Sequence, residues 1–178
     1  MNETIIIGPV EMPAGALGVA RSPQGVGWLA LPGEPLAMCE AWARRWMPTA
    51  RVVYDTRGLD DVAEQLSAYF AGDLREFTVP LDLRGTPFQL LAWRALLEIP
   101  YGETASYGEI ATAVGRPDAV RAVGATNGRN PIAVIIPCHR VIGADGTLVG
   151  YGGGLDRKRL LLELEAEHAA PRLWSARS

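Results

Sequence analysis

A cysteine and a histidine stand side by side in the run Pro137-Cys138-His139-Arg140-Val141. A thiolate is a strong nucleophile, and an imidazole can take up the proton that the thiol must lose. In an extended chain neighbouring side chains point to opposite faces, so contact between these two requires a turn or a bridging water. The pair alone therefore fits either a reactive cysteine or an inert, buried one.

The segments on both sides of this pair must position it. The apolar run 132–136 is too short for a helix and predicts a buried strand or extended segment. The run Gly150-Tyr151-Gly152-Gly153-Gly154 predicts either a flexible linker or a wall that a ligand approaches closely. A final helix carries Lys158 and Glu165 seven residues apart, which places both on one face. Glu165 is therefore a candidate to orient His139.

Two short helices are predicted over residues 107–114 and 119–126, joined by the turn Gly115-Arg116-Pro117-Asp118. Such a helix-turn-helix occurs in DNA-binding proteins and also in purely structural ones. The second helix has one long surface side chain, Arg121. Its other surface candidates are small, which favours close approach to a narrow groove or packing against another helix: Ala119, Ala122, Gly124 and Ala125.

The chain divides near residue 84 into an N-terminal unit, 1–84, and a C-terminal unit, 85–178. In the first unit, short strands over 4–7 and 25–31 predict a hairpin or small sheet. Helices are predicted over 34–46 and 60–70, and strands over 52–54 and 77–83, the last at an edge because of Pro80. The second unit is mostly helical, and capping boxes begin two of its helices. The fold class expected is α+β.

Composition excludes several classes of protein. Of 178 residues, 48% are hydrophobic and 21% charged, so the chain can bury a core, and no apolar run approaches a membrane span. No signal peptide is visible, and two cysteines make no disulfide framework, so we expect a cytoplasmic protein with reduced thiols. Two cysteines and two histidines do not have the spacing of a zinc site.

The net charge is −3, but residues 107–159 carry seven bases against four acids, which suggests a basic face for a phosphate backbone.

The segment Asn130-Pro131-Ile132-Ala133-Val134-Ile135-Ile136-Pro137-Cys138-His139-Arg140-Val141, with the trailing Tyr151-Gly152-Gly153-Gly154, resembles the signature of the DNA alkyltransferases that repair O6-alkylguanine. The runs Ile99-Pro100-Tyr101-Gly102-Glu103-Thr104 and Ser106-Tyr107 resemble the same family. The resemblance covers residues 70–165, and the first 70 residues match it only in general layout, which in the family is ribonuclease H-like.

The resemblance implies a methylated-DNA–protein-cysteine methyltransferase that works once per molecule. Cys138 would attack the alkyl carbon on guanine O6 by in-line displacement and keep the group as a thioether, which is a poor leaving group. His139, through a water and oriented by Glu165, would generate the thiolate. Tyr107 would supply a proton to the leaving guanine, and Lys158 would help to hold the site.

The resemblance also implies how DNA is bound. Arg121 would enter the base stack from the minor groove and fill the gap left by the flipped nucleotide. Asn130 would brace the turn between the DNA-binding helices and the cysteine segment. Further residues expected at the DNA are Tyr107, Ala122, Gly124 and Arg129. The pocket would be walled by Val149, Gly150, Tyr151, Gly152 and Gly153, with Asn130. Some relatives have serine where this chain has Gly152, so its preference among alkyl groups stays open.

The partner implied is double-stranded DNA carrying O6-alkylguanine, chiefly O6-methylguanine, with no metal, cofactor or membrane. We expect a monomer, and cooperative assembly on DNA is left open. Two other functions compete. A non-catalytic relative that senses alkylated bases would lack the cysteine, which is present here. A cysteine hydrolase, suggested by Cys138 and His139 alone, would turn over esters or amides without DNA.

Overall fold

A small mixed sheet forms the first half of the molecule, in a computed structural model that describes residues 3–169. Its strands are β1 (Thr4–Val10), β2 (Leu17–Ser22), β3 (Gly25–Ala30) and β4 (Arg51–Tyr54), in the order β3-β2-β1-β4. The first three strands are antiparallel neighbours, whereas β4 runs parallel to β1. A parallel pair needs a crossover connection, and the one from β1 to β4 passes through β2, β3 and helix α1 (Ala37–Trp46).

Two helices cover this sheet. Helix α1 packs a small core of its own, in which Cys39 and Trp42 contact the sheet. Helix α2 (Asp60–Phe70) buries Val62, Leu66 and Tyr69 at helical spacing, within a larger core that extends into the second half of the chain. That shared core fixes Tyr69 against residues of the C-terminal half.

The second half is built mainly from helices. Its elements are α3 (Pro87–Leu97), β5 (Ala105–Ser106), α4 (Tyr107–Ala113), α5 (Val120–Gly128), a 3₁₀ turn (Cys138–Arg140), β6 (Val141–Ile142) and α6 (Leu155–His168). Capping boxes begin α3 at Thr86 and α4 at Ser106, as the sequence predicts. Gly115 follows the C-cap of helix α4, and its φ of 74° allows the sharp turn into α5. The predicted α+β class and the helix-turn-helix, α4 and α5, are confirmed.

The strands of the first half differ from the prediction in two places. Strand β2 was not among the predicted strands, because its short apolar stretch is bounded by glycine and serine and lacks a clear alternation. Residues 77–83 do not form a strand. Pro80 has no backbone N–H to donate, and the segment makes only one isolated bridge, to β3. In this bridge the amide of Val26 donates to Pro80 O, and the amide of Asp82 donates to Val26 O, both at 2.8 Å.

The apolar run before Cys138 is buried as predicted, but it is not a strand. Ile132 makes a single bridge to β3, where the amide of Leu29 donates to Pro131 O at 2.9 Å. The chain then turns, so that the amide of Ile136 donates to Ile132 O at 2.9 Å. The edge strand of the N-terminal sheet therefore fixes the start of the segment that carries the cysteine. No helix in residues 3–169 is long and apolar enough to cross a membrane.

Candidate active site

Cys138 lines a cavity between the two halves of the chain. Its side chain is 4% exposed and begins the 3₁₀ turn Cys138–Arg140. The cavity has a volume of about 520 Å³, within the usual range for small-molecule sites. Its walls come from both halves and include Trp28, Trp42, Trp93, Arg129, Asn130, Ala133, Tyr151, Gly152 and Gly153. A group that enters this cavity can therefore reach the thiol.

The thiol of Cys138 is held in the protonated form. Burial raises its pKa, and a hydrogen bond from Asn130, the charge of Lys158 and nearby backbone amides oppose that rise only in part. A thiol is a poor nucleophile compared with its thiolate. Reaction at Cys138 therefore needs a nearby base that removes the proton.

His139 is the candidate base, and Glu165 orients it. The imidazole is fully buried, and its Nε2 lies 2.7 Å from Oε1 of Glu165. Burial lowers the pKa of His139 although the hydrogen bond to Glu165 opposes this, so the ring is neutral and can accept a proton. Nδ1 is buried and has no hydrogen-bond partner among residues 3–169. Cys138 and His139 lie in a 3₁₀ turn and not in an extended chain, in which their side chains would point to opposite faces.

Glu165 is the centre of a buried polar cluster. Arg140 donates from Nε to Oε2 at 2.8 Å and from Nη2 to Oε1 at 2.9 Å. Tyr69 donates from its hydroxyl to Oε1 at 2.7 Å, and the amide of Gly102 donates to Oε2 at 3.3 Å. Burial acts to raise the pKa of Glu165, but the hydrogen bonds from His139 and Arg140 outweigh it and lower the pKa to about 2. The carboxylate is therefore ionised and accepts only.

Lys158 ties three parts of the chain together. The ammonium group is fully buried and donates to the carbonyl oxygens of Val141, Val149 and Gly150, the last two at 2.9 and 3.4 Å. Burial lowers its pKa, and the adjacent Cys138 opposes that shift. Lys158 and Glu165 lie on the inner face of α6, as their spacing predicts. The lysine fixes the loop after β6 against the segment that contains the cysteine.

Tyr107 and the loop at Val149 lie next to each other beside the cavity. The hydroxyl of Tyr107 donates to Val149 O at 2.9 Å, and the ring is half-buried at the start of α4. Gly150, with a φ of 56°, comes close to the same hydroxyl. The cavity walls include Tyr151, Gly152 and Gly153 but neither Tyr107, Val149 nor Gly150. The predicted pocket residues are therefore divided between the cavity wall and the adjacent loop.

Asn130 holds the turn that precedes Cys138. Its Nδ2 donates to Ile136 O at 2.7 Å, and its Oδ1 accepts from the amide of Ile132 at 2.9 Å. Between these two contacts Val134 has a φ of 75°, which is unfavourable for a β-branched residue. Strain of this kind persists only where the surroundings enforce it. Asn130 thus compensates for a bend that carries Cys138 into the cavity.

Helix α5 presents a free surface. Arg121 is exposed and has no hydrogen bond or ion pair among the described residues, and Ala122 and Arg129 are exposed as well. Gly124 is half-buried, and a Cβ there would lie 3.9 Å from the Tyr107 ring. Arg121 and Ala122 are therefore open to a partner, whereas Gly124 lies close to Tyr107 of α4.

Comparison with known proteins identifies the family. Residues 87–167 match the family described as "6-O-methylguanine DNA methyltransferase, DNA binding domain", and residues 5–83 match its "ribonuclease-like domain". The methylated-DNA–protein-cysteine methyltransferase of Mycobacterium tuberculosis is 64% identical over 65% of this chain and 70% of its own length. The inducible enzyme of that name from Bacillus subtilis is 44% identical over 83% of this chain and 82% of its own.

The chain belongs to the 6-O-methylguanine DNA methyltransferase family. A crystal structure of Mycobacterium tuberculosis OGT in complex with DNA matches with a TM-score of 0.79 and 48% identity, over 94% of this chain and 96% of the other. The predicted family, fold class and enzyme class are confirmed. DNA is confirmed as the class of partner, because the DNA-binding domain of this methyltransferase family matches residues 87–167.

Two parts of this candidate site were not found from the sequence. Arg140 was counted only as a positive charge, although its position directly after His139 could have suggested a shared role. Tyr69 follows the apolar spacing of α2, so nothing in the sequence distinguishes its hydroxyl from an ordinary core position. Within residues 3–169, no group of three or more histidine, cysteine or acidic side chains could hold a metal ion.

Proposed function

We propose that this protein repairs O6-alkylguanine, chiefly O6-methylguanine, in double-stranded DNA by moving the alkyl group to its own Cys138. The observation that carries the proposal is a buried thiol in a cavity, next to a neutral histidine that a carboxylate orients. Membership of the methyltransferase family supports it. Each chain would accept one alkyl group, because a thioether is a poor leaving group and the cluster has no second thiol to regenerate Cys138.

The proposed reaction moves one proton to the base before the alkyl group moves. The proton of the Cys138 thiol passes, through a water, to Nδ1 of His139, and Glu165 stabilises the imidazolium that forms. The sulfur then bonds to the alkyl carbon while the bond from that carbon to guanine O6 breaks. The guanine leaves with the electron pair of that bond and takes a proton from Tyr107. Tyr107 then regains a proton from solvent, and His139 releases to solvent the proton that it took from the thiol. Repaired guanine and S-alkylated Cys138 are the products.

The proposed binding mode places α5 at the minor groove. The target nucleotide flips out of the stack into the cavity, at a cost of a few kcal/mol that is least for a damaged base. Arg121 would fill the gap, since it is exposed and unpaired in the described part of the chain. Small neighbours such as Ala122 and Gly124 would let the helix approach closely, and Arg129 would contact the backbone. The pocket wall would be formed by residues 149–153 and Asn130.

The same chemistry bears on the roles of the two units, the oligomeric state and the compartment. We propose that residues 1–84 support the site and that residues 85–178 bind DNA and accept the alkyl group. The chain would act as a monomer. If several chains bound along DNA cooperatively, the binding curve would be steep. Because Cys138 must stay reduced, the chemistry fits the cytoplasm.

The decisive experiment is intact-mass spectrometry after incubation with duplex DNA that contains O6-methylguanine. We expect a gain of one methyl group per chain, located in the Cys138 peptide, and no further turnover with excess DNA. Binding without a mass gain would indicate a sensor of alkylated bases. Turnover of ester or amide substrates without DNA would indicate a hydrolase. Either result would overturn the proposal.

A further inference from the structure

One residue of the N-terminal half reaches directly into the polar cluster behind Cys138. The hydroxyl of Tyr69, on α2, donates to Oε1 of Glu165 at 2.7 Å and lies 3.4 Å from Nε2 of His139. The side chain is fully buried. Among the described residues before 85, it is the only one that hydrogen-bonds Glu165.

The hydrogen bonds at Oε1 fix the tautomer of His139. Oε1 accepts from the hydroxyl of Tyr69, from Arg140 and from Nε2 of the imidazole, and an ionised carboxylate can only accept. Nε2 must therefore carry the hydrogen, which leaves Nδ1 as the atom that can take a proton. A displaced or rotated carboxylate would loosen this arrangement, because the carboxylate sets the orientation of the ring.

We infer that Tyr69 is a positioning residue for alkyl transfer: its hydroxyl holds the Glu165 carboxylate in the place that orients His139 as the base. This inference rests on the proposed function. It assigns the N-terminal half a direct part in the proton transfer, in addition to its contribution to the core.

The hydroxyl can be separated from the ring by substitution. The ring of Tyr69 packs edge-on against Phe70 and Tyr101 and at a tilt against Phe77. Phenylalanine would keep these contacts and remove only the hydrogen bond. Tyr101 offers a matched control, because its ring packs against the same cluster but its buried hydroxyl has no hydrogen-bond partner among residues 3–169.

The direction of the effect follows from the charges around the cluster. Without the hydroxyl of Tyr69, the negative charge of Glu165 is shared among fewer donors and attracts a protonated His139 more strongly. The imidazole then stays protonated up to a higher pH, and below that pH it cannot accept the proton of the thiol. The titratable and charged groups that face this pair are Tyr69 from α2, Tyr101 from the loop before β5, Cys138 and Arg140 from the 3₁₀ turn, and Lys158 from α6.

The test compares Tyr69→Phe and Tyr101→Phe with the unsubstituted protein in single-turnover transfer from O6-methylguanine duplex DNA across pH. We expect Tyr69→Phe to slow transfer about ten-fold, with the acid limb of the rate profile moved to higher pH. Tyr101→Phe should stay close to the unsubstituted rate and profile. Nitrogen-15 NMR of the free proteins should show His139 titrating at higher pH in Tyr69→Phe alone.

Two results would overturn the inference. One is a Tyr69→Phe profile with an unchanged acid limb and unchanged His139 resonances, which would leave only a packing role. The other is an equal effect from Tyr101→Phe. Failure of the proposed function is distinguishable, because the unsubstituted protein would then gain no methyl group, whereas the NMR comparison needs no activity.

Discussion

The cluster around Glu165 holds a buried, hydrogen-bonded charge, whereas the surface of α5 carries an exposed charge. Glu165 is fully buried and accepts from Tyr69, His139, Arg140 and a backbone amide, so its charge is fixed in one place. Arg121 is exposed and has no partner in the described part of the chain. A proton transfer needs donors and acceptors that are already in position. An arginine that enters a DNA stack needs freedom to leave its own surface.

The two regions also differ in how much a substitution lowers the stability of the folded state. A buried charge is tolerated only when its partners compensate for lost hydration, and removing one partner typically costs about 3–5 kcal/mol. A change at an exposed position away from such contacts usually alters stability by about 0.5 kcal/mol or less. We therefore expect changes in the buried cluster to affect chemistry and stability together, and changes on α5 to affect DNA binding alone.

The largest effect is expected at the sulfur itself. Cys138→Ala should abolish alkyl transfer, because it removes the sulfur proposed to accept the carbon, while affinity for duplex DNA stays within about two-fold, since α5 is untouched. Cys39→Ala is the matched control. Burial raises the pKa of Cys39 to about 12, so this second thiol stays protonated and should not react. Intact mass and a DNA titration measure both, and methylation of the Cys138→Ala variant would contradict the assignment.

The two regions also differ in how far the sequence predicts them. Helices α4 and α5 follow from local signals, since the capping box of Ser106 and Glu109 marks the start of the first and Gly115 stands just after its C-cap. Such signals act over a few residues and can be identified without knowledge of the fold. The seven-residue spacing of Lys158 and Glu165 likewise placed both on the inner face of α6.

The buried cluster depends on contacts that no local pattern contains. Tyr69 and Glu165 are 96 positions apart, and only the packing of α2 against the C-terminal half brings them together. The burial of residues 132–136 was predictable from their apolar character, but the turn at Val134 was not. Positive φ at a β-branched residue opposes local preference, and the hydrogen bonds of Asn130 enforce it.

The next largest effect is expected at the carboxylate that organises the buried cluster. Glu165→Gln leaves the charge of Arg140 buried without its counter-charge and presents an amide hydrogen toward existing donors. We expect a loss of about 3–5 kcal/mol in the free energy of unfolding and about 100-fold slower transfer by the protein that remains folded. Urea unfolding and single-turnover rates measure the two losses. Stability equal to that of the unsubstituted protein would show that the cluster is not held by charge.

Acid should destabilise the protein through the same carboxylate. The pKa of Glu165 is lowered from 4.5 to about 2 in the folded protein, so the folded state favours the ionised form. Its contribution is complete above the unfolded pKa and is lost as the pH falls from about 4.5 toward about 2. We expect the free energy of unfolding, followed by urea titration, to fall across this window and to fall less in Glu165→Gln. Parallel pH curves for the two proteins would refute the linkage.

A change on the exposed helix should separate recognition from chemistry. Arg121→Ala removes the side chain proposed to fill the stack, so we expect transfer from duplex DNA to slow by about ten-fold to 100-fold. Transfer from O6-methylguanine as a free base needs no flipping and should be unchanged, as should the melting temperature. Arg116→Ala, an exposed arginine in the turn between α4 and α5, is the control and should show a smaller loss. Equal losses in both variants would mean that Arg121 only contacts phosphate and does not fill the base stack.

The smallest effect is expected at the rim of the cavity, where the enclosed and exposed regions meet. A Cβ added at Gly152 would have only Gly128 O nearby, at 3.9 Å, so Gly152→Ala should transfer methyl groups within about two-fold of the unsubstituted rate. A Cβ at Gly153 would lie 2.8 Å from both Leu31 Cδ1 and Tyr151 Cε1, so the cavity wall must shift. We expect Gly153→Ala to slow transfer by about ten-fold. Single-turnover rates for both variants test this order, and a slower Gly152→Ala would mean that alkylguanine lies directly against residue 152, where a methyl group interferes.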